Sequence, residues 1–402
     1  VVFVRHALPG ERVVAVVTSE SSSFLRADAV EVLEPSLDRV EPSCPHAGPG
    51  RCGGCDWQHV SLPAQRRLKS ALVSEQLRRV ARIEREVEVE GLDGHPDGLG
   101  WRTRVKFAVD RTGHAGFHRH RSHDIEPVER CPIATPEVNA VGVGSLQWKG
   151  ARHVEVAVSP DGGEPIVSVE TAGNGRPGTF ANFPTAAGVV VDGRWQRGPK
   201  RVRFEVGGHR FDVSAGVFWQ VHPQAAAVLT GCVLEGLEPA AGERAADLYS
   251  GAGLFSVALA EAVGPDGSVV GVERSRRACA DAGRNTSGLR NVEILRSEVN
   301  AAVVSTRLGS PDLVVLDPAR EGAGRSVMEA LTHLRPPPRR LASVSCDPAT
   351  FARDLRVMLD AEWTIRSLRA FDLFPMTEHV ELVAILEPPV PPPPSRRLTS
   401  RS

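Results

Sequence analysis

From about residue 240 the chain breaks into short apolar runs: Ala245-Ala246-Asp247-Leu248, Val269-Val270-Gly271-Val272, Leu313-Val314-Val315-Leu316 and Leu341-Ala342-Ser343-Val344, with helical spacing between them. A strand with one wet face alternates apolar and polar residues, whereas a continuous apolar run needs cover on both faces. Strands alternating with helices supply that cover. The pattern therefore predicts a parallel sheet between helical layers, a Rossmann-like α/β domain over residues 206–388. Such sheets bind ligands at the carboxyl ends of their strands, and chemistry is expected there.

A chain of 402 residues has room for further domains ahead of this one. Residues 1–40 alternate apolar and polar positions (Val13, Ala15, Val17; Ala27, Ala29) around Leu8-Pro9-Gly10, which predicts a small antiparallel β unit. The chain opens at Val1 inside a strand-like run, so this unit is expected to be incomplete. Residues 41–91 hold a cysteine-bearing loop and a helix, where Leu68, Leu72, Val73, Leu77 and Val80 recur among arginines and predict a basic outer face. Residues 92–205, rich in glycine, histidine and short strands, read as a β-rich central domain; residues 389–402 read as a disordered Pro/Arg/Ser tail.

Formal net charge is -1, so any affinity for nucleic acid must come from local patches. Lysine occurs only at Lys69, Lys106, Lys149 and Lys200, which leaves arginine, suited to bidentate phosphate contacts, as the main cation. An odd seven cysteines and no apolar leader point to a reducing, cytoplasmic setting without disulfides or a membrane span. No obligate protein partner is evident.

Asp247-Leu248-Tyr249-Ser250-Gly251-Ala252-Gly253-Leu254-Phe255 follows a strand and opens a helix. Its glycines let backbone approach a ligand at the turn. A nicotinamide or flavin site would look similar, but the third glycine of the dinucleotide fingerprint is missing. Glu273, about twenty residues on, can accept hydrogen bonds from ribose hydroxyls, and Asp317 ends a further strand. Cys346, in Ser345-Cys346-Asp347-Pro348, ends another and should face the same crevice. Beside an S-adenosylmethionine pocket, a thiol suggests covalent activation of a pyrimidine, because thiolate addition at C6 makes C5 nucleophilic. A buried structural cysteine is the commoner alternative. In Phe374-Pro375-Met376-Thr377-Glu378-His379-Val380-Glu381, strand alternation puts Thr377, His379 and Glu381 on one face, so Glu381 is a candidate base for the C5 proton.

At this point the chain resembles the RNA 5-methyluridine (uracil-5) methyltransferase family. Phe218-Trp219-Gln220-Val221-His222, the Asp247 to Phe255 turn, Asp317-Pro318-Ala319-Arg320, Ser345 to Thr350 and Pro375 to Glu381 match in order. The resemblance implies a class I methyltransferase domain. It implies that Gln220, Tyr249, Glu273 and Asp317 contact S-adenosylmethionine, that Cys346 is the nucleophile and that Glu381 is the proton acceptor. His222, often asparagine in the family, and Leu254 depart from the pattern. The start of the chain, Phe3 to Arg12, resembles part of a TRAM domain, a small RNA-binding β-barrel.

Cys44, Cys52 and Cys55, with Cys131 far downstream, suit either tetrahedral zinc or an iron–sulfur cubane. Many members of the resembled family carry a [4Fe-4S] cluster on such an arrangement, so these four are expected to hold one. Arg102, Arg104, Lys106, Arg111, Arg119 and Arg121, interleaved with His114, His118, His120 and His123 around Phe107 and Phe117, are expected to form an RNA-binding surface. The cysteines and TRAM-like start point to 23S rRNA as substrate, with tRNA as the alternative. A cytosine-5 enzyme fits Ser345-Cys346-Asp347-Pro348 poorly. A non-catalytic RNA-binding iron–sulfur protein would be marked by loss of Cys346 or Glu381, and both are present.

Overall fold

The computed structural model describes residues 1–173 and 187–389. The expected tail, apart from Pro389, lies outside the described residues. Strands β1 (Val2–Arg5), β2 (Arg12–Glu20) and β3 (Leu25–Glu34) form a three-stranded sheet in the order β1-β3-β2. Ala27 and Ala29 point inward, but Val16 and Val17 on β2 are each 54% exposed, so the inner face expected from alternation forms on one strand only. Three strands are too few to close a barrel, and the unit is an open sheet. A bidentate pair fastens it to the next loop: Arg39 donates to both Glu11 oxygens at 2.6 Å and holds that carboxyl down at about 2.

Helix α1 (Leu62–Gln76), with Pro63 in its first turn, continues into one wider turn over Leu77–Ala81 and stops at Arg82 in the left-handed region. Val73 and Leu77 are buried as expected. The basic outer face is only partly realised. Arg67, Arg78 and Arg79 are exposed, but Lys69 is fully buried. A two-residue strand, β4 (Val89–Glu90), follows.

The central sheet comprises β5 (Arg104–Val109), β6 (Ala115–His118), β7 (Ile125–Pro127), β8 (Ala151–Ala157), β9 (Ile166–Thr171), β10 (Gly188–Val191) and β11 (Arg194–Arg197), with the short helix α2 (Pro136–Ala140) between β7 and β8. Its order is β11-β10-β9-β8-β5-β6-β7, antiparallel except for β9 and β10. The hairpin β12 (Arg201–Val206) and β13 (His209–Ser214) turns on Gly207-Gly208, both at positive φ, as a tight two-residue turn demands.

The C-terminal part alternates as the apolar runs predict. Helix α3 (Ala225–Leu237) leads into β14 (Arg244–Leu248), α4 (Leu254–Val263), β15 (Ser268–Glu273), α5 (Arg276–Asn285) and β16 (Val292–Arg296). Then come α6 (Ala301–Arg307), β17 (Leu313–Leu316), α7 (Arg325–Thr332), β18 (Arg340–Ser345), α8 (Pro348–Asp360), β19 (Thr364–Phe371) and β20 (Glu381–Glu387). The sheet order is β16-β15-β14-β17-β18-β20-β19-β4; β14 to β18 are parallel, and β20 runs against both β18 and β19.

Each strand feeds both faces. Ala245 and Val315 join the apolar layer that contains Leu229 of α3 and Val257 of α4. Ala246 and Leu316 join the opposite layer, with Met328 of α7 and Leu355 of α8. Val73 and Leu77 lie in that second layer, so the helix that precedes the central sheet in sequence packs on the α/β sheet. The order of strands reverses between β14 and β17, and at such a switch point the connecting loops part to leave a crevice.

Candidate active site

Two turns line that crevice. After β14 the chain passes through Tyr249, Gly251 and Gly253, all at positive φ, before α4 begins. At Gly253 the φ of 91° lies in the left-handed region that favours glycine, so the residue serves the conformation of the turn. Glu273, closing the neighbouring β15, accepts from Gly251 N–H at 3.1 Å and from Ser275 N–H at 2.6 Å. Its carboxylate is thus oriented by backbone and keeps lone pairs for a ligand's hydroxyls. Beneath the turn, Asp247 is fully buried; one oxygen accepts from Ser256 Oγ at 2.6 Å, while the other, like the buried Ser250 hydroxyl, has no protein partner. Burial, followed by the Asp317 charge, pushes the Asp247 carboxyl up to about 7. Gln220 is buried, and the Tyr249 ring is half-buried.

Three adjacent strands bring the remaining candidates to the same sheet edge. Asp317 follows β17 and Cys346 follows β18, both at carboxyl ends. Because β20 runs antiparallel to β18, its first residue, Glu381, lies at that edge too, and the pairing Ser345↔Leu382 sets Glu381 beside Cys346. Asp347 caps α8, accepting from Ala349 N–H and Thr350 N–H at 3.0 and 2.8 Å, and so fixes the turn that carries Cys346. Arg320 reaches the same place. Its guanidinium is 3.1 Å from His379 Nε2, and its carbonyl accepts from Thr350 Oγ1 at 2.9 Å.

The electrostatics are lopsided. Burial raises Asp317, and burial together with the Asp317 charge raises Glu381. Burial, then Glu381, then Asp317 push the Cys346 thiol up to about 12, while Arg320 pulls it back. Acids crowded out of water call for a positive charge, and S-adenosylmethionine, a nucleoside with a cationic sulfur, meets the requirements of both turns.

A sequence profile described as protein-L-isoaspartate(D-aspartate) O-methyltransferase (PCMT) matches residues 220–309, the stretch containing the glycine turn. Over 96% of the chain, a protein of Streptomyces avermitilis described as an uncharacterized RNA methyltransferase is 47% identical, and 93% of that protein is covered. A Bifidobacterium longum protein of the same description is 35% identical across 96% of this chain and 91% of its own. The chain belongs to this family of RNA methyltransferases. Among solved structures, the tRNA (uracil-54, C5)-methyltransferase of Pyrococcus abyssi, crystallised with S-adenosyl-L-homocysteine, superposes with a TM-score of 0.72 over 95% of both chains at 24% identity, which shows a shared fold.

Several sequence expectations for this RNA methyltransferase need correction. Cys44, Cys52, Cys55 and Cys131 do not form an iron–sulfur site: among the described residues no group of three or more Cys, His, Asp or Glu side chains is arranged to hold a metal ion. The four thiols are free and lie close enough to influence one another's charge, and two of them pack as small apolar groups. Cys55 and Cys131 rest against Trp101, Ile133 and Met376. Burial pushes Cys52 up to about 11 and Cys55 to about 12. The [4Fe-4S] expectation is withdrawn, and with it the zinc alternative.

Glu381 reaches the site by a route other than the one expected. Residues 372–380 are turns rather than strand, so alternation does not align Thr377, His379 and Glu381; Glu381 is simply where β20 begins. The expected RNA surface also divides. Phe107 is core, stacked 5.0 Å from Phe117, and Arg104 is spent on the Val217 carbonyl and on Glu155. What stays open is a groove of ≈ 770 Å³ lined by Arg111, His118, His123, Arg152 and His153. Arg152 was missed because its strand reads as ordinary β sequence. Among the described residues no helix is long and apolar enough to cross a membrane.

Proposed function

We propose that this RNA methyltransferase methylates C5 of uridine through a covalent adduct on Cys346. The observation that carries the reading is the placement of Cys346 beside Glu381 at one sheet edge, next to the glycine turn. Gln220, Tyr249, Glu273 and Asp317 are assigned to the donor. Bound there, S-adenosylmethionine supplies an electrophilic methyl group on a positively charged sulfur.

The chain's own residues do the rest. Cys346 gives up its proton to water, favoured by the Arg320 cation, and its sulfur bonds to C6 as the C5=C6 electrons move toward C5 and O4. Once C5 is methylated, Glu381 takes the C5 proton; the C5=C6 bond re-forms as the S–C6 bond breaks and the thiolate leaves. A carboxylate whose proton affinity is raised by burial suits that proton transfer. Because a paired base hides its C6 face, the uridine is taken from a loop or flipped out.

As to which RNA, the case for 23S rRNA leaned on the cysteines and on the TRAM-like start, and the first of these supports is gone. The Pyrococcus enzyme of like fold is named for tRNA, so tRNA is the first substrate to try. The experiment is trapping on tRNA and 23S rRNA transcripts carrying 5-fluorouridine, whose fluorine cannot leave as a proton. Wild type should stall as a covalent complex with one of them and Cys346→Ala with neither. An adduct formed by the alanine variant sinks the assignment.

A further inference from the structure

The segment that delivers Glu381, residues 372–380, is held from outside the α/β domain. Gln65 and Lys69 stand one helical turn apart on α1, and both are completely buried. Gln65 Oε1 accepts from Met376 N–H at 2.8 Å, while its Nε2 donates to the Val60 and Trp57 carbonyls at 2.8 and 3.1 Å. Lys69 Nζ donates to Asp372 Oδ1 at 2.5 Å and to the Phe374 carbonyl at 3.1 Å. From the loop before α1, Asp56 N–H and Trp57 N–H both donate to the Met376 carbonyl at 3.0 Å. Thus every backbone polar group of Met376 is taken by residues 56–65.

Those contacts restrain a conformation the segment would not choose. Met376 has φ 68°, a left-handed backbone that costs a non-glycine residue energy and persists only where surroundings over-determine it. Thr377 then folds back, its hydroxyl donating to the Phe374 carbonyl at 2.8 Å, and the chain enters β20 at Glu381. A helix that merely covered the sheet would do so more cheaply with apolar side chains, since burying a lysine, an aspartate and a glutamine carries a desolvation cost. Polar groups at these positions specify one geometry of the loop.

We propose that Gln65 and Lys69 are positioning residues that hold the 372–380 loop so that the Glu381 carboxylate meets the C5 proton. The inference rests on the covalent uridine reading and deepens it, because adduct formation and proton removal then depend on different parts of the chain. Trapping on 5-fluorouridine needs Cys346 and the donor but not the base, whereas turnover on uridine needs all three.

The test uses the full chain with Gln65→Leu and, separately, the paired change Lys69→Met with Asp372→Leu, which removes both buried charges together. Each is assayed for thermal unfolding, for trapping on 5-fluorouridine transcripts and for turnover on the same transcripts with uridine. Trapping within twofold of wild type, with turnover down tenfold or more and covalent complex accumulating on uridine RNA, supports the inference. Unchanged turnover overturns it, as does a parallel loss of trapping and turnover, which is what a merely structural role gives. Failure of wild type itself to trap would sink the uridine reading beneath it, a result separable from the other two.

Discussion

Glu381 is raised first by its own burial and next by the charge of Asp317, and Cys346 feels both of them. Three groups that turn negative on ionising share one dry sheet edge, where Coulomb repulsion is weakly screened. Glu381 holds its proton more tightly for the presence of Asp317, and Cys346 for the presence of both. A cation set among them reverses that balance.

Stability should therefore respond to pH and to the donor's charge. Asp247, at about 7, Asp317 and Glu381 all have folded pKa values above those of the unfolded chain. For such groups the stabilisation is complete below the ordinary carboxylate range and is lost as pH rises through the raised values. Glu11, held at about 2, works the other way, but only as pH falls below its ordinary value. His59 and His222, held down at about 4 by burial, add stability as pH rises to the ordinary histidine value, so the unfolding temperature of the ligand-free protein should drop from about pH 6.5 to about pH 8. At the upper pH, S-adenosylmethionine should restore more of it than S-adenosylhomocysteine, which lacks the sulfonium charge. Equal shifts from the two ligands at both pH values would refute this account.

With its pKa near 12, the Cys346 thiol of the free protein is almost wholly protonated at neutral pH. Alkylation of Cys346 by iodoacetamide, followed by peptide mass, should rise about tenfold per pH unit from pH 7 to pH 10, because the thiolate is the reacting species. A plateau below pH 9 would mean the thiol is already activated.

Glu381→Gln removes the proposed proton acceptor and leaves the thiol in place. Turnover should fall by about two to four orders of magnitude, the range general-base catalysis contributes. Covalent protein–RNA complex should accumulate on ordinary uridine transcripts, visible as a band resistant to denaturing gels. Wild-type turnover in this variant would remove Glu381 from the mechanism.

Arg111 and Arg152 edge the open groove of the central sheet and carry no carboxylate partner among the described residues. Arg111→Glu or Arg152→Glu should raise KM for RNA while leaving kcat near wild type. Each should also flatten the dependence of log affinity on log salt by about one unit, as expected for a lost phosphate contact. An unchanged salt slope would place the RNA elsewhere.

The α/β domain was legible because periodicity reports burial directly: the run Leu313 to Leu316 could only be a strand covered on both sides, and it is. The glycine turn and the strand-end positions of Asp317 and Cys346 followed from the same logic. Lys69 and Gln65 could not be read, since a lysine and a glutamine on an amphipathic helix normally face water, and their partners lie three hundred residues away. The cysteines misled for a related reason. Spacing along a chain says which thiols can meet, whereas the approach needed for ligation is set by packing around Trp101 and Met376. Glu381 was expected at the crevice through strand alternation, whereas the residues before it are turns and it is the first residue of β20.

Strand β19 lies one place in from the edge of the eight-stranded sheet, and only its last residues, Ala370 and Phe371, pair with Val89 and Glu90 of the edge strand β4. That short strand, packed against α1, covers the end of a border which would otherwise offer bare amide groups to any passing chain. A fragment begun at residue 206 would lose this shelter. Attempts to produce the C-terminal half by itself should give self-associating material, and soluble preparations will need the segment from Leu62 to Glu90 retained.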